Sequence, residues 1–207
     1  MFTGLVTDVG RVKSVEDSNG IRRVRVESAY PVSALQMGAS VQHSGVCLTL
    51  VEFGDKPGGG SWWVVEAIPE TLSRTTLGNW LAGTRMNLEL SLKLGDELGG
   101  HLVYGHVDGL GIVRSIKQDG DSRRIRVEVA EPLAKFLAEK GSICIDGVSL
   151  TVSAVGHDDG ADWFEVAIIP HTLQVTTLGT FTPGDRCNLE VDMLARYVVR
   201  MLEWQSK

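Results

Sequence analysis

The sequence predicts an all-β protein of two tandem closed barrels, produced by internal duplication, with one α-helix at the C-terminal end. Three observations support this prediction. The chain consists mostly of short β-branched runs broken by Gly, Asn and Asp, which is typical of strands joined by tight turns. The second half repeats the first at an offset of about 101 residues. The last segment, residues 192–207, has no counterpart in the first half and carries apolar residues at helical spacing.

The repeat runs through both halves in the same order. VGRVKSV returns as LGIVRSI, and PETLSRTTLG at residues 69–78 returns as PHTLQVTTLG at 170–179. Two long copies with one internal order indicate a duplicated domain rather than a solenoid of short units. The Gly-rich segment GDELGGH at residues 95–101 separates the copies. The sequence therefore predicts one domain at residues 1–97 and a second at 98–191.

Each half contains about six predicted strands and little helix. RRVRVES alternates charged residues with valine, which suits a strand with one face in water. In SVQHSGVCLTLVEF, Gly45 falls within an apolar run and predicts a bulge or a sharply coiled strand. The PETL and PHTL segments each predict one short helical turn that begins at proline. About six short strands in so few residues favour a small closed barrel, which leaves no exposed edge.

Residues 192–207 are predicted to form a single amphipathic helix. Asp192 can cap its N-terminus. The apolar residues at helical spacing are Leu194, Tyr197, Val198, Met201 and Leu202. Such a stripe requires a covering surface in the folded protein. Packing on the helix's own domain and packing on the same helix of another subunit are both open.

The composition is that of an ordinary globular protein and argues against several partners. Apolar residues make up 43% of the chain and charged residues 22%, which suffices for a buried core. The formal charge of −6, with no basic run, argues against nucleic acid and anionic membranes as partners. No stretch approaches the roughly 18 apolar residues of a membrane span, and the start MFTGLV does not resemble a signal peptide.

The cysteines predict reduced thiols. Cys47, Cys144 and Cys187 are an odd number without a C-x-x-C pair, which suits neither a disulfide framework nor a zinc site. We therefore expect a cytoplasmic protein without a metal site.

Candidate site residues come from the repeated positions, because the sequence contains no P-loop, G-x-S-x-G, H-E-x-x-H or dinucleotide-binding glycine pattern. GVCLTL returns as GVSLTV, so Ser149 stands where the first copy has Cys47, and Thr49 returns as Thr151. A strand cysteine is usually a small core residue. Its exchange with serine instead fits a polar contact to one kind of ligand in both halves, and both interpretations are open.

Other polar residues differ between the halves. His106 has Leu5 as its counterpart, and His101 precedes the start of the repeat. Five residues apart, the two histidines face opposite sides of a strand and make a poor metal pair. Each could be a structural histidine or a proton-transfer group near pH 7. Asp146 replaces Ser44. The halves are therefore predicted to bind alike and to act differently.

Several motifs together resemble the alpha-type riboflavin synthase family over nearly the whole chain. They are MFTGLV, the paired GVCLTL and IDGVSLTV, GDELGGHLVYGHVDG, and the two P-x-T-L-x-x-T-T-L-G segments. The resemblance implies duplicated six-stranded Greek-key barrels, each binding one 6,7-dimethyl-8-ribityllumazine, and a homotrimer assembled through the C-terminal helix with sites between subunits. Lumazine synthase is a further candidate partner.

The resemblance also implies the reaction. The enzyme would be a transferase that passes a four-carbon unit from one lumazine to another, giving riboflavin and 5-amino-6-ribitylamino-uracil. No metal or redox cofactor is implied.

The resemblance further implies which residues form the two sites. The site of the first barrel is expected to contain Gly4, Leu5, Val6, Ser40, Cys47, Leu48, Thr49, Glu66, Ala67, Ile68, Pro69, Glu70 and Thr71. The site of the second barrel is expected to contain Gly105, His106, Val107, Lys140, Ser149, Leu150, Thr151, Ala167, Ile168, Ile169, Pro170, His171 and Thr172. Proton handling or nucleophile activation is expected of Ser40, Cys47, His101, His106 and Asp146.

Two other classes of protein share part of this pattern. A non-catalytic antenna protein of the same fold would bind lumazine or flavin without converting it. The polar residues kept in both halves, together with His106 and Asp146, favour the enzyme. A flavin-dependent reductase barrel would need a nucleotide-binding α/β domain, for which the chain has no room. Ser44, where the family usually has Asn, and Tyr104 depart from the family pattern without removing an assigned group.

Overall fold

The computed structural model describes residues 1–206 and contains two six-stranded barrels followed by a helix. The first barrel comprises β1 (Asp8–Ser18), β2 (Ile21–Ser28), β3 (Ser40–His43), β4 (Val46–Asp55), β5 (Ser61–Ala67) and β6 (Arg85–Leu90). The second comprises β7 (Gly109–Asp119), β8 (Ser122–Val129), β9 (Ser142–Ile145), β10 (Val148–Asp158), β11 (Ala161–Ile168) and β12 (Arg186–Val191). The α-helices are α1 (Pro69–Arg74), α2 (Glu131–Ala134), α3 (Pro170–Val175) and α4 (Met193–Gln205).

Both barrels are closed and share one strand order. The first runs β1-β2-β5-β4-β3-β6, and the second repeats this order with β7 to β12. Strands β3, β4 and β5 are consecutive antiparallel neighbours, and β6 returns to lie beside β3, which is a Greek-key connection. Closure leaves no free strand edge. The predicted fold of two duplicated Greek-key barrels and a C-terminal helix is confirmed.

One face of each strand is buried inside its barrel. In β2, Val24 and Val26 are fully buried, while the arginine between them is only partly covered. Register shifts in β1, after Val12, and in β4, after Leu50, mark bulges that let these long strands coil around the barrel. Each barrel has its own apolar core. Each half of the chain can therefore bury its own apolar surface.

The segment SVQHSGVCLTLVEF is a hairpin rather than one bulged strand. Ser44 and Gly45, with φ of 44° and 84°, form the two-residue turn between β3 and β4. Asp146 and Gly147, with φ of 44° and 80°, form the same turn in the second barrel. Positive φ at both central residues is what a type I′ hairpin turn requires. The predicted bulge was wrong because the glycine belongs to a turn and does not interrupt a strand.

The barrels meet through β3, β6, β9 and β12, and matched hydrogen bonds cross between them. Asn87 Nδ2 donates to the carbonyl of Asp146 at 2.8 Å, and Asn188 Nδ2 donates to the carbonyl of Ser44 at 2.7 Å. These groups are buried, where an unpaired amide would be costly. The outer faces of these strands therefore contribute polar contacts to the interface between the two halves.

The apolar stripe of α4 faces solvent. Asp192 caps the helix, with its Oδ1 accepting from the backbone N–H of Leu194 at 2.9 Å. Large apolar side chains of α4 are 56–67% exposed, namely Leu194, Tyr197, Val198, Met201, Leu202 and Trp204. Packing of this stripe on its own domain is therefore contradicted. Lys207 lies outside the described residues, and no helix within residues 1–206 is long and apolar enough to cross a membrane.

The core of the first barrel contains a polar pair. Trp63 Nε1 donates to His43 Nε2 at 2.8 Å, whereas the matching positions of the second barrel hold Phe164 and Ile145. Burial lowers the pKa of His43 to about 4. The folded protein thus keeps this imidazole neutral, while the unfolded chain protonates it near its ordinary pKa of about 6.5.

We predict that the double variant His43→Ile/Trp63→Phe, which imitates the second barrel, unfolds with a weaker pH dependence. Because the folded-state pKa lies below the unfolded one, stability is lost as pH falls below about 6.5, by about 2 kcal/mol between pH 7 and pH 5. Urea unfolding at both pH values measures this loss, which the variant should not show. The control, His171→Gln at an exposed position, should lose as much stability between pH 7 and pH 5 as the wild type. The same loss in the double variant would contradict the assignment of this pH dependence to His43.

Candidate functional site

A cavity of about 390 Å³ opens beside Cys47 on the first barrel. Its walls are the start of β4, the helix α1 and residues 105–108 from the second half of the chain. Cavities of this size accommodate small organic ligands. Predicted site residues from distant parts of the sequence meet there, including Glu70, Thr71 and His106.

Each barrel receives a glycine turn from the other half of the chain. The carbonyl of Gly105 accepts a hydrogen bond from the N–H of Cys47 at 2.9 Å, and that of Gly4 accepts one from Ser149 at 2.9 Å. A Cβ at Gly105 would lie 2.6 Å from the Cys47 Cβ, and one at Gly4 would lie as close to the Ser149 Cβ. Both glycines have positive φ, 74° and 76°. Only glycine therefore fits at either position.

This exchange corrects the predicted division of residues between the two sites. The sequence placed residues 4–6 in the site of the first barrel and residues 105–107 in that of the second. The structure places residues 4–6 against Ser149 and residues 105–107 beside Cys47. The prediction was wrong because it assigned each turn to the barrel of its own half, whereas the turns cross between barrels.

Two buried glutamates hold the exchanged turns. Glu89, in β6, accepts from the N–H groups of Thr3 and Gly4 at 2.7 and 3.0 Å. Glu190, in β12, accepts from the N–H of His106 at 2.9 Å and from a second residue of the same turn. Burial raises the pKa of both carboxyls, and these hydrogen bonds oppose the rise. Neither residue was among those predicted from the sequence, although the repeat NLEL and NLEV contains them.

The equivalent residues Cys47 and Ser149 each have a different histidine nearby. His101 Nδ1 lies 2.7 Å from Ser149 Oγ. Burial lowers the pKa of His101, and the carboxylate of Asp192 opposes this shift. His106 lines the cavity beside Cys47. An imidazole at hydrogen-bond distance from a hydroxyl can take up its proton. The structure therefore pairs Ser149 with His101 and brings His106 to Cys47.

The predicted strand residues divide by the direction of their side chains. Leu48, Ala67 and Ile168 point into the barrel cores and are at most 6% exposed, so only their backbone can face a site. Leu150, which is partly buried, also packs against the core of the second barrel. Thr49 and Thr151 are exposed and lie on the same strand face as Cys47 and Ser149.

The predicted segments 66–71 and 167–172 occupy matching places, at the ends of β5 and β11 and in the helices that follow. Ile68 and Ile169 are 56% and 58% exposed, so each barrel presents an apolar side chain next to its helix. In α1, Glu70 pairs with a neighbouring arginine at 2.9 Å. Each barrel thus combines apolar surface and polar groups beside its helix.

Two further predicted residues lie near the strand positions. Ser40 is the register partner of Thr49, and Ser142 is the partner of Thr151. Ser142 was not in the predicted set, although the repeat makes it the counterpart of Ser40. Lys140 lies just before β9 with a φ of 67°, a conformation that L-residues rarely adopt.

Asp146 lies in the turn between β9 and β10, where the two barrels meet, and not in the Cys47 cavity. Its Oδ1 accepts from the N–H of Asn188 at 2.7 Å, and the residue lines a groove that also contains Thr177 and Arg186. Burial raises the pKa of Asp146 to about 7. Its position supports a role in joining the barrels, and the predicted role in proton handling gains no support from it.

All three cysteines are free thiols. Cys47 is partly exposed, whereas Cys144 and Cys187 are buried, and burial raises the pKa of both buried thiols well above its ordinary value. Thiolates are the reactive form of cysteine, so these two are structural. Within residues 1–206, no group of three or more His, Cys, Asp or Glu is placed to hold a metal ion.

Two closed barrels with matched positions at Cys47 and Ser149 define a duplicated small-molecule-binding protein. The sequence matches the lumazine binding domain family twice, over residues 3–91 and 104–192. A riboflavin synthase of Brucella abortus (strain 2308) is 46% identical over 206 residues, covering 100% of both chains. A riboflavin synthase of Mycobacterium bovis is 40% identical over 202 residues, covering 98% of each. This chain belongs to the riboflavin synthase family.

Solved structures share the fold. LumP complexed with 6,7-dimethyl-8-(1'-D-ribityl) lumazine has a TM-score of 0.75 at 22% identity, covering 92% of this chain and 99% of that one. LumP complexed with riboflavin has a TM-score of 0.74 at the same identity and coverage. At this level of identity the likeness concerns the fold alone, and the sequence relatives establish the family.

We predict that Glu190→Ala releases the turn at His106. The change leaves two partly buried N–H groups without their acceptor, so the free energy of unfolding should fall by about 1–3 kcal/mol. Urea unfolding measures this loss, and amide hydrogen exchange should quicken at residues 104–106. The control Glu16→Ala, at an exposed carboxylate, should stay within about 0.5 kcal/mol of wild type. Unchanged exchange at residues 104–106 would contradict the anchoring role of Glu190.

Proposed function

We propose that this protein is a riboflavin synthase, which converts two molecules of 6,7-dimethyl-8-ribityllumazine into riboflavin and 5-amino-6-ribitylamino-uracil. The observation that carries the proposal is the pair of matched positions, Cys47 and Ser149, each covered by a glycine turn from the other half of the chain. Full-length similarity to proteins named riboflavin synthase supports this activity. LumP, with the same fold, holds the lumazine in one structure and riboflavin in another.

The reaction needs two copies of one substrate, and the duplicated barrels supply one position for each. One lumazine gives up a four-carbon unit and the other accepts it. All atoms of the two substrates appear in the two products, so no net oxidant or reductant is consumed. Holding both molecules in a reactive arrangement contributes several kcal/mol, up to about 7–11. Acid–base groups contribute a further rate factor of about 10²–10⁴.

We assign the acid–base work to the two histidine positions. The acceptor lumazine loses a proton from its 7-methyl group, and the donor is activated by addition of a nucleophile at C7. In the second barrel, the Ser149 hydroxyl lies 2.7 Å from His101, and burial favours the neutral imidazole. This pair can take up a proton from the hydroxyl or from a water in its place. In the first barrel, Cys47 and His106 share one cavity. The different pairs support different roles for the two lumazines.

We further propose that α4 joins subunits into a homotrimer, in which the first barrel of one subunit faces the second barrel of its neighbour. The support is the row of apolar side chains on α4, each more than half exposed. Contiguous apolar surface of this kind marks contacts between proteins. The free thiols support a reducing compartment such as the cytoplasm.

The purified protein, given 6,7-dimethyl-8-ribityllumazine alone, is expected to form riboflavin and the uracil product in equal amounts, measured by flavin fluorescence and chromatography. His101→Gln should lower turnover by about 10²-fold or more, since it removes an acid–base group. His157→Gln, at an exposed histidine paired with Asp162, is the matched control and should keep wild-type turnover. Binding of lumazine without any riboflavin formed would overturn the proposal and identify an antenna protein of the same fold.

Deletion of residues 193–207 is expected to give a folded monomer with greatly reduced turnover. No residue of α4 is buried, so both barrel cores stay intact, and Asp192 beside His101 is kept. Met201→Glu should have the same effect on assembly while retaining the helix, because it places a charge in the apolar stripe. Sedimentation velocity and the riboflavin assay measure both effects. A truncated protein that remains trimeric would refute the role given to α4.

A further inference from the structure

One ion pair joins α4 to the cavity beside Cys47. Arg196 donates to both carboxylate oxygens of Asp108, with Nη1 to Oδ1 at 2.6 Å and Nη2 to Oδ2 at 2.9 Å. The side chain of Asp108 is only 13% exposed. Its Oδ2 also accepts from the N–H of Val191 at 2.9 Å, which fixes the carboxylate on the barrel. Two-point contacts of this kind define geometry as well as contributing energy.

Asp108 belongs to the wall of the cavity. It lies two residues after His106 and lines the same space as Cys47. The turn that carries His106 is held at one end by Glu190, and Asp108 follows it directly before β7 begins. Only two peptide units therefore separate the ion-paired Asp108 from His106.

The repeat shows that this connection is specific to the second copy. The counterpart of Asp108 is Thr7, whose hydroxyl hydrogen-bonds to the hydroxyl of Tyr30 within the first barrel. The second copy instead places a carboxylate there and pairs it with the helix that only this copy possesses. The exchange of turns brings that carboxylate to the pocket of the first barrel.

We propose that Asp108 and Arg196 are positioning residues that couple the placement of α4 to the ligand affinity of the Cys47 pocket. The inference deepens the proposed function and rests on it for the identity of the ligand. Assembly through α4 then fixes Arg196, Arg196 fixes Asp108, and Asp108 fixes the turn that carries His106. The matched position at Ser149 lacks this connection and is covered by the turn at Gly4.

A second ion pair provides a matched control. Lys135, just after α2, binds Glu203 of α4 at 2.5 Å, so it also joins the helix to the second barrel. Neither residue lines the Cys47 cavity. A purely structural role for the helix contacts predicts similar consequences from removing either pair. A positioning role predicts a difference between them.

Cys47 itself provides a local probe of the pocket, because Cys144 and Cys187 are buried. The rate at which Cys47 reacts with a disulfide reagent such as 5,5'-dithiobis(2-nitrobenzoate) reports how closely Gly105 and its turn cover it. The riboflavin concentration that halves this rate reports ligand affinity at this pocket alone. Riboflavin is the proposed product and is not converted further, so binding is measured without turnover.

We expect Arg196→Met to raise the half-protecting riboflavin concentration by about 2–30-fold, the range for residues that couple two sites, and to speed the reaction of Cys47 without ligand. Arg196→Lys keeps the charge but loses the two-point contact and should lie between wild type and Arg196→Met. Asp108→Asn should match Arg196→Met. Lys135→Met should leave both readouts within about twofold of wild type, as surface pairs contribute little.

Equal effects of Arg196→Met and Lys135→Met, or no effect of Arg196→Met on either readout, would overturn the inference. All variants are compared as assemblies of wild-type size by sedimentation. If one variant dissociates, Arg196→Lys and Asp108→Asn provide the comparison. Protection of Cys47 at the wild-type riboflavin concentration in both of these variants would also overturn the inference. The rate at which Cys47 reacts without ligand tests this inference independently of the proposed function. A wild-type protein that riboflavin does not protect would count against the function, while the ligand-free rates would still decide the coupling.

Discussion

The hydrogen bonds from the exchanged turns to Glu89 and Glu190 are the constraint on which the rest of the structure depends. Both carboxylates are buried, and each holds a turn of its own half that reaches across to the opposite barrel. A buried backbone N–H needs an acceptor, and each turn finds it on these glutamates. The anchored turns then bond to the opposite barrel, where Gly4 accepts from the N–H of Ser149 and Gly105 from that of Cys47, so separating the barrels would break these contacts. The candidate site at Cys47 and the matched position at Ser149 each include residues from the other half of the chain.

Because the glycine turns cross between the barrels, a small sequence difference becomes a chemical difference. The two copies keep Leu-Thr after the variable polar residue, so the strand positions stay alike. The residues that cover these strand positions differ between the two barrels. A turn containing His106 lies beside Cys47, whereas Ser149 has residues 4–6 on one side and His101 at hydrogen-bond distance. Two matched strand positions with different imidazole placements suit the proposed reaction between two copies of one substrate, in which one copy loses a proton while the other is attacked.

Much of the fold follows from the repeat and from strand patterning. The internal offset indicated duplication, and the alternating runs indicated strands whose closure into barrels the structure bears out. Four residues of the predicted set, Cys47, Glu70, Thr71 and His106, line one cavity. Three features were not predicted correctly or at all. Ser44–Gly45 is a turn, residues 4–6 and 105–107 cross between barrels, and the two glutamates are buried anchors. In a strand pattern, a glutamate on an outward face is indistinguishable from a solvated one until another domain covers that face.

The sequence by itself determined the duplication, the closed-barrel class and an amphipathic C-terminal helix, because these depend on local propensity and on periodicity along the chain. Only the tertiary structure decided which turn covers which barrel, where Asp146 lies and which residues link α4 to the pocket. These features depend on contacts between residues about 60 to 145 positions apart. Such contacts are selected by the burial and pairing of polar groups between two packed barrels, and no local pattern in the chain encodes them.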